Sequence, residues 1–276
     1  MAAERTNTMG GAKTGEMAAG PSVVAVMPTY NEKDNLPITL AGIFAHCPDA
    51  HVLVVDDNSP DGTGELADQM AAEDGSERLH VLHRQEKGGL GPAYLAGFAW
   101  ALKRGYELIC EMDMDGSHRP VDLARLLKAA QQPITVGGGH GRSRVMPDLV
   151  IGSRRVLGGR SMNWPWCRDL ISSCGSWYAR LMLGLDVHDM TAGFRVYRAS
   201  LLRRLDLKAI EANGYVFQID MTRRVAAVGG VIREVPIEFV ERTLGKSKMS
   251  GDIVREAMLR VTQWGMRRRF GRVFRR

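Results

Sequence analysis

Two aspartates one residue apart, in Glu111-Met112-Asp113-Met114-Asp115-Gly116-Ser117-His118-Arg119-Pro120, are the residues of this chain best suited to chemistry. The apolar run 108–110 leads into them, and a proline then opens a helical pattern. Alternate residues of a strand share a face, so Asp113 and Asp115 are expected to point the same way at a strand's C-terminal end. Two carboxylates held together repel unless a cation sits between them. A hard divalent ion, Mg2+ or Mn2+, takes one or two carboxylates and completes its shell with water and substrate phosphate oxygens. Alone, the pair suits an ordinary acidic loop as well as an ion site.

The elements that must position the pair follow a regular plan. Residues 23–27 form a continuous apolar run, as in a buried parallel strand, and lead into Pro28-Thr29-Tyr30-Asn31-Glu32. Leu36, Leu40, Ile43 and Phe44 then recur at helical spacing. The run 52–55 predicts a second strand ending in Asp56-Asp57-Asn58-Ser59-Pro60-Asp61-Gly62-Thr63, with Leu66 and Met70 on the next helix. A third strand over 79–82 precedes Gly88-Gly89-Leu90-Gly91, followed by a helical face of Leu95, Phe98, Ala99 and Leu102. A fourth strand over 108–112 carries the acidic pair, and Leu123, Leu126, Leu127 and Ala130 line the helix after it. Such alternation implies βαβ units and a mostly parallel sheet, whose ligands bind beyond the carboxyl ends of the strands. The first, second and fourth strands all end in polar, acid-bearing loops. The glycine-rich turn lacks the spacing of a dinucleotide fingerprint, which argues against a dehydrogenase.

Further on, residues 131–148 read as a flexible insertion and 149–152 as a strand ending at Ser153-Arg154-Arg155. Trp164-Pro165-Trp166 precedes a helix striped by Leu170, Cys174, Trp177 and Leu181. Residues 191–197 look like a return to the sheet, with a helix from Ser200, and 232–240 like a late edge strand because of Pro236. From Ile253 the residues Ala257, Val261 and Trp264 keep helical spacing among many arginines. Residues 1–21, without apolar period, are expected to be a disordered leader.

The bulk numbers set limits. The 276 residues are 45% hydrophobic and 25% charged, an ordinary composition with material for one large α/β domain. Four cysteines without a C-x-x-C pair predict reduced thiols and a reducing compartment. No apolar run reaches the length of a spanning helix and no signal sequence opens the chain, so it is expected in the cytoplasm or peripheral on the cytosolic face of a membrane.

At this point a resemblance enters. The segments 28–32 and 55–63, with Asp113-Met114-Asp115, resemble the successive signatures of glycosyltransferase family 2. Within that family, Gly152-Ser153-Arg154, Arg168-Asp169-Leu170-Ile171-Ser172, segments 189–195 and 214–220, and Arg242 with Lys248 are similar to the polyprenol (dolichol) monophosphate mannose synthases. The likeness runs from about Val23 to Ile253. It implies a glycosyltransferase-A type domain over 22–250 that moves mannose from GDP-mannose to a polyprenyl phosphate with inversion, and a basic amphipathic helix or tail over 251–276. By position, the resemblance implies that Pro28, Tyr30, Glu32, Val55 and Asp57 hold the guanosine end. Asp113, Met114 and Asp115 would then meet ribose, diphosphate and metal. Arg154, Arg242 and Lys248 would meet diphosphate or acceptor phosphate, and Arg168 with Ser172 the acceptor phosphate. The third metal contact is a glutamine in some relatives but Ser117 here, a weaker ligand.

A phosphate monoester is already anionic at neutral pH, so it needs cations to hold it rather than a base to activate it. Plainer roles stand beside these. Tyr30 suits a core or lid aromatic, and Glu32 and Asp34 suit a helix N-terminus. Asp61 is read as a turn residue, Asp220 as a partner for an arginine, and His118 as a loop residue rather than a ligand. The tryptophans and the 170–181 stripe are either core or a grip for a prenyl chain. Arginines 255, 260, 267, 268, 269, 272, 275 and 276 make the C-terminal end basic, which with a lipid acceptor favours an anionic membrane surface. No aromatic-interleaved basic motif points to nucleic acid. The absence of a spanning run leaves room for a separate membrane-anchoring subunit. The competing functions are the same scaffold with a UDP-sugar and a non-catalytic nucleotide-sugar-binding adaptor.

Overall fold

In a computed structural model of the chain, the described residues are 22–138, 141–210, 214–241 and 251–273. Arg242, Lys248 and the leader 1–21 lie outside them. The strands are β1 (Val23–Thr29), β2 (His51–Asp56), β3 (Leu79–His83), β4 (Leu108–Glu111), β5 (Ile134–Gly138), β6 (Gly141–Val145), β7 (Leu149–Ser153), β8 (Arg160–Met162), β9 (Arg195–Arg198), β10 (Ile232–Pro236) and β11 (Glu238–Val240). The helices are α1 (Asn35–His46), α2 (Thr63–Glu73), α3 (Leu90–Lys103), α4 (Pro120–Ala130), α5 (Trp166–Leu183), α6 (Ala199–Leu202), α7 (Gly214–Ala227) and α8 (Gly251–Val273).

Seven strands form the central sheet in the order β10-β7-β9-β4-β1-β2-β3, parallel except for β9, which runs antiparallel to both β4 and β7. The expected mostly parallel α/β plan is present. Because β1 is buried on both faces, its residues divide by parity. Val24 and Val26 join one core with Tyr94, Phe98, Phe217 and Leu183, while Val23, Ala25 and Met27 join the other with Leu36, Leu40, Ile43 and Leu126. Helices α1, α2 and α4 therefore cover one face, and α3, α5, α7 and α8 the other. The α3 face is rotated from the expected one: Tyr94, Phe98 and Ala101 are buried and Ala99 is exposed. Gly97 explains how close this helix lies. A Cβ added there would come within 2.3 Å of Val26 Cγ1, so the helix backbone rests directly on β1.

Four local expectations change. Residues 134–138 and 141–145 pair as antiparallel strands, β5 with β6, where a flexible insertion was expected. The late strand is two strands: β10 is the sheet edge and ends at Pro236, and β11 leaves to pair in parallel with β8. Strand β4 stops at Glu111, so the acidic pair lies on the turn beyond it rather than on the strand itself. The helix expected from Ser200 is the single turn α6. In α8, Val261 is buried and Ala257 and Trp264 pack on the α5/α7 core, so this apolar stripe faces protein. No helix among the described residues is long and apolar enough to cross a membrane.

Candidate active site

The carboxyl ends of β1, β2, β4 and β7 open onto a cavity of about 390 Å³. Pro28, Tyr30, Glu32, Asp57, Asp113, Met114, Asp115, Arg154 and Arg168 all line it. The turn after β4 is made by Gly116, whose φ of +77° places it in the left-handed region that favours glycine. Asp115 is buried and accepts the Ser117 backbone N–H at 3.0 Å. Asp113 accepts the Tyr94 hydroxyl at 3.2 Å, and its own N–H donates to His118 Nδ1 at 2.9 Å. His118 is buried among these groups, with its ring on Phe194 at 4.5 Å between centroids. Burial pushes its pKa below the ordinary value, against the neighbouring aspartates, which raise it.

The donor set fits a hard divalent ion. Two carboxylates on one turn face one cavity, leaving other coordination positions to substrate and solvent. Among the described residues no group of three or more His, Cys, Asp or Glu side chains forms a closed cage. Ser117 is buried with its hydroxyl unpartnered, but it does not line the cavity. Val55 does not line it either; it is fully buried in the sheet, opposite Pro28 in the β1–β2 register.

On the rim at the ends of β1 and β2, Asp57 is clasped by the Arg84 guanidinium and by the backbone N–H groups of Gly88 (3.1 Å) and Gly89 (2.8 Å). The glycine-rich turn thus serves the second strand's acid. Lys87 in the same turn stands 3.7 Å over the Tyr30 ring. Glu32, just before α1, accepts the Asn35 side-chain amide at 2.6 Å while also lining the cavity. Asp61 accepts the Thr63 hydroxyl (2.6 Å) and backbone N–H groups, the turn role expected of it.

The opposite wall is cationic. Arg154 donates from N, Nε and Nη2 to Asp189 at 2.9, 2.8 and 2.7 Å and from Nη2 to Thr191 at 3.0 Å. Burial would raise the Asp189 carboxyl, but the Arg154 charge and hydrogen bonds outweigh it and hold the group below the usual range. Arg168, on the first turn of α5, donates to Glu241 at 2.7 Å and lies 4.1 Å from the Trp164 ring centroid; Arg154 approaches the same ring at 5.4 Å. By the 3.6-residue repeat, Arg168 and Ser172 share the inward side of α5 with buried Ser176, Ala179 and Leu183. Ser172 stands one turn past Arg168, outside the cavity lining. The outward side carries Trp166 (79% exposed), Leu170, Cys174, Trp177 (64% exposed) and Leu181. The stripe expected to be core or prenyl grip is therefore not core. Asp220 pairs with Arg223 and Arg224, away from the cavity.

The sequence profile of Glycosyl transferase family 2 matches residues 24–206. An undecaprenyl-phosphate mannosyltransferase of Micrococcus luteus is 55% identical over 248 residues, spanning 90% of this chain and 96% of that one. The chain belongs to glycosyl transferase family 2. A second member, a polyprenol monophosphomannose synthase of Mycolicibacterium smegmatis, is 50% identical over 249 residues, 90% of this chain and 89% of that one. Solved structures of low sequence identity share the fold. A glucosyl-3-phosphoglycerate synthase of Mycobacterium tuberculosis superposes with a TM-score of 0.62 at 17% identity, covering 89% of this chain and 80% of the other. A mannosyltransferase of Pyrobaculum calidifontis solved with GDP-Man and Mn2+ gives 0.55 at 17% identity, covering 94% and 66%. The expected glycosyltransferase-A type architecture is the one observed.

Several groups carried no signal in spacing: Lys87 over Tyr30, Tyr94 on Asp113, Trp164 between two arginines, and Asp189 behind Arg154. The glycine pair 88–89 was visible but not its task. A rule that asks which side chain an extra glycine turn could clasp would have found Asp57.

Proposed function

We propose that this chain moves mannose from GDP-mannose to a polyprenyl phosphate, inverting the anomeric carbon. The observation that carries this reading is the asymmetry of the cavity. Its nucleotide side presents Glu32, Asp57, Asp113 and Asp115, whereas its other side presents Arg154 and Arg168 and, among the described residues, no lining carboxylate. A hydroxyl acceptor needs a base to take its proton. A phosphate acceptor, with a second pKa of about 6, needs cations instead. The names of the two relatives at 55% and 50% identity support the same acceptor class and the same sugar.

In this reading Pro28, Tyr30, Glu32 and Asp57 hold the guanosine end, with Val55 beneath them. Asp113 and Asp115 would hold Mg2+ or Mn2+, with Met114 between them, while the Ser117 hydroxyl lies off the cavity lining. Such an ion, when bound, would supply Lewis-acid stabilisation of the diphosphate's negative charge. Arg154 is pre-set by Asp189 and Thr191, so it meets an incoming phosphate without reorganising. Arg168 grips the acceptor phosphate by its planar fork, while Ser172 lies a turn farther along α5 off the cavity lining and Arg242 and Lys248 lie outside the described residues.

An acceptor that lives in a bilayer gives the outward side of α5 a purpose. Exposed Trp166, Leu170, Trp177 and Leu181 lie in the lipid interface while Arg168 on the other side faces the cavity, and the arginines of α8 add attraction to anionic headgroups. The chain is then peripheral on the cytosolic membrane face, alone or with an anchoring subunit.

The test is a thermal-shift titration with GDP-mannose against UDP-glucose, each with manganese, followed by an assay for mannosyl lipid. Stabilisation by GDP-mannose and a mannosyl-lipid product are expected. Preference for UDP-glucose selects the glucosyl reading, and nucleotide binding without product selects the adaptor.

A further inference from the structure

His118 sits where the acidic turn meets the cationic wall. It is only 2% exposed, yet it lines the cavity. One ring face lies on Phe194, with an interplanar angle of 16°, and an edge meets Phe239 at 5.4 Å between centroids. The Arg154 guanidinium stands against the same Phe239 ring at 5.3 Å, so the imidazole and the guanidinium share one wall.

The hydrogen bond on the other side of the ring fixes its protonation. A backbone N–H can only donate, and that of Asp113 reaches His118 Nδ1 at 2.9 Å. Nδ1 therefore holds a lone pair, and in a neutral imidazole the single ring proton is on Nε2. In that form Nε2 is a donor and has no lone pair for a metal, despite its place beside two carboxylates. A buried N–H next to a cationic guanidinium, with aromatic walls on two sides, suits an oxygen that carries negative charge.

We propose that His118 is a substrate-contacting residue that donates its Nε2–H to a non-bridging phosphate oxygen, alongside Arg154, and that it is not a metal ligand. The proton stays on the imidazole; the contact is a hydrogen bond held through transfer. This rests on the reading that phosphates of donor and acceptor meet in this cavity. The chain's own backbone anchors the ring through Nδ1, so the donor is aimed before substrate arrives.

Two substitutions separate the ring's two nitrogens. His118→Asn keeps an acceptor for the Asp113 N–H and deletes the far donor. His118→Gln keeps a donor near the Nε2 position and deletes the acceptor. With parental mannosyl-lipid synthesis measured first, His118→Asn is expected to lower kcat/KM by about 10- to 100-fold, and His118→Gln by about threefold. Manganese affinity is expected to be unchanged in both. A rise in KM for GDP-mannose assigns the contact to the donor diphosphate, and a rise confined to the prenyl phosphate assigns it to the acceptor. Near-parental turnover by His118→Asn overturns the proposal. So does an equal loss in both variants, which marks a packing role, or a loss of manganese affinity, which marks a ligand. Nitrogen-15 NMR of the unmodified protein gives an independent reading. The Nε2-protonated form, with Nε2 shifting on addition of GDP-mannose and magnesium or of prenyl phosphate, is expected. An Nδ1-protonated ring, or one unmoved by every substrate, overturns it. If the parental protein makes no mannosyl lipid, the functional reading fails instead, and the resting-state NMR still reports the tautomer.

Discussion

The two walls of the cavity are built from different material. The acidic wall stands on short turns at the ends of β1, β2 and β4, neighbours in a sheet whose residues are buried on both faces. Its carboxylates are held by the turns and the helix around them: Asp115 by the Ser117 N–H, Asp113 by the Tyr94 hydroxyl of α3, Asp57 by the glycine turn two elements on. The cationic wall is assembled across long separations, Arg154 with Asp189 and Arg168 with Glu241, and one of its supports is a helix with a bare apolar outer side. A site for a small hydrophilic ion and nucleotide can be made rigid and local. A site for a headgroup on a long tail has to stand at the edge of the molecule, where the tail can stay outside.

Substitutions on each wall test that contrast. The largest effect is expected on the acidic wall: Asp115→Ala should lower mannosyl-lipid formation by about 100- to 1,000-fold at saturating metal, without loss of fold by circular dichroism. Parental turnover would remove the acidic wall from the chemistry. On the other wall, Arg168→Ala should lower kcat/KM for the prenyl phosphate by about 10- to 100-fold and leave KM for GDP-mannose unchanged. If both substrates suffer alike, the division into two walls is wrong. Farther out, replacing Trp166 and Trp177 by serine should weaken partition onto vesicles with anionic phospholipid by about tenfold, while turnover of a detergent-dispersed, short-chain acceptor is kept. Sedimentation of protein with vesicles measures this.

The smallest effect lies at the opposite end of the sheet. There His51 Nδ1 and His80 Nε2 are 3.0 Å apart, with the Tyr106 hydroxyl 2.9 Å from the first. Two facing nitrogens 3.0 Å apart share one proton well and a second badly. Burial lowers the pKa of both rings from the ordinary 6.5, helped by the Arg78 charge for His51 and by His51 and Arg104 for His80. Folded pKa values below the unfolded ones mean that the unfolded chain binds protons more readily. Stability is therefore full above about pH 6.5 and is lost as pH falls toward the folded values. Melting temperature should drop by roughly 2–4 °C through this window, and His51→Gln should flatten the slope.

The same contrast sets what could be read from the amino acids. The acidic wall was legible because apolar runs mark parallel strands, and strand ends mark where acids can gather. The arginines could be placed only by likeness, since nothing in spacing joins Arg154 to Asp189 or Arg168 to Glu241. Periodicity found the stripe on α5 but not whether protein or solvent lay against it, because Trp, Leu and Cys suit either. The β5–β6 pair was missed because Gly137, Gly138 and Gly141 at the strand ends hide the two-residue alternation. Segment 232–240 was read as one strand because Pro236 looks the same at the end of an edge strand as inside one. Segment 214–227 was noted as a motif but not as a helix, its apolar and polar residues being too mixed to show a face.

Gly97 has a consequence well beyond its size. With α3 seated on Val26 at that point, the missing side chain acts as the fulcrum that sets the height of Tyr94 less than one turn earlier, and Tyr94 is the hydroxyl that steadies Asp113. One methyl group at position 97 would tilt the helix outward and lift that hydroxyl from its carboxylate, detuning an ion site that it never touches.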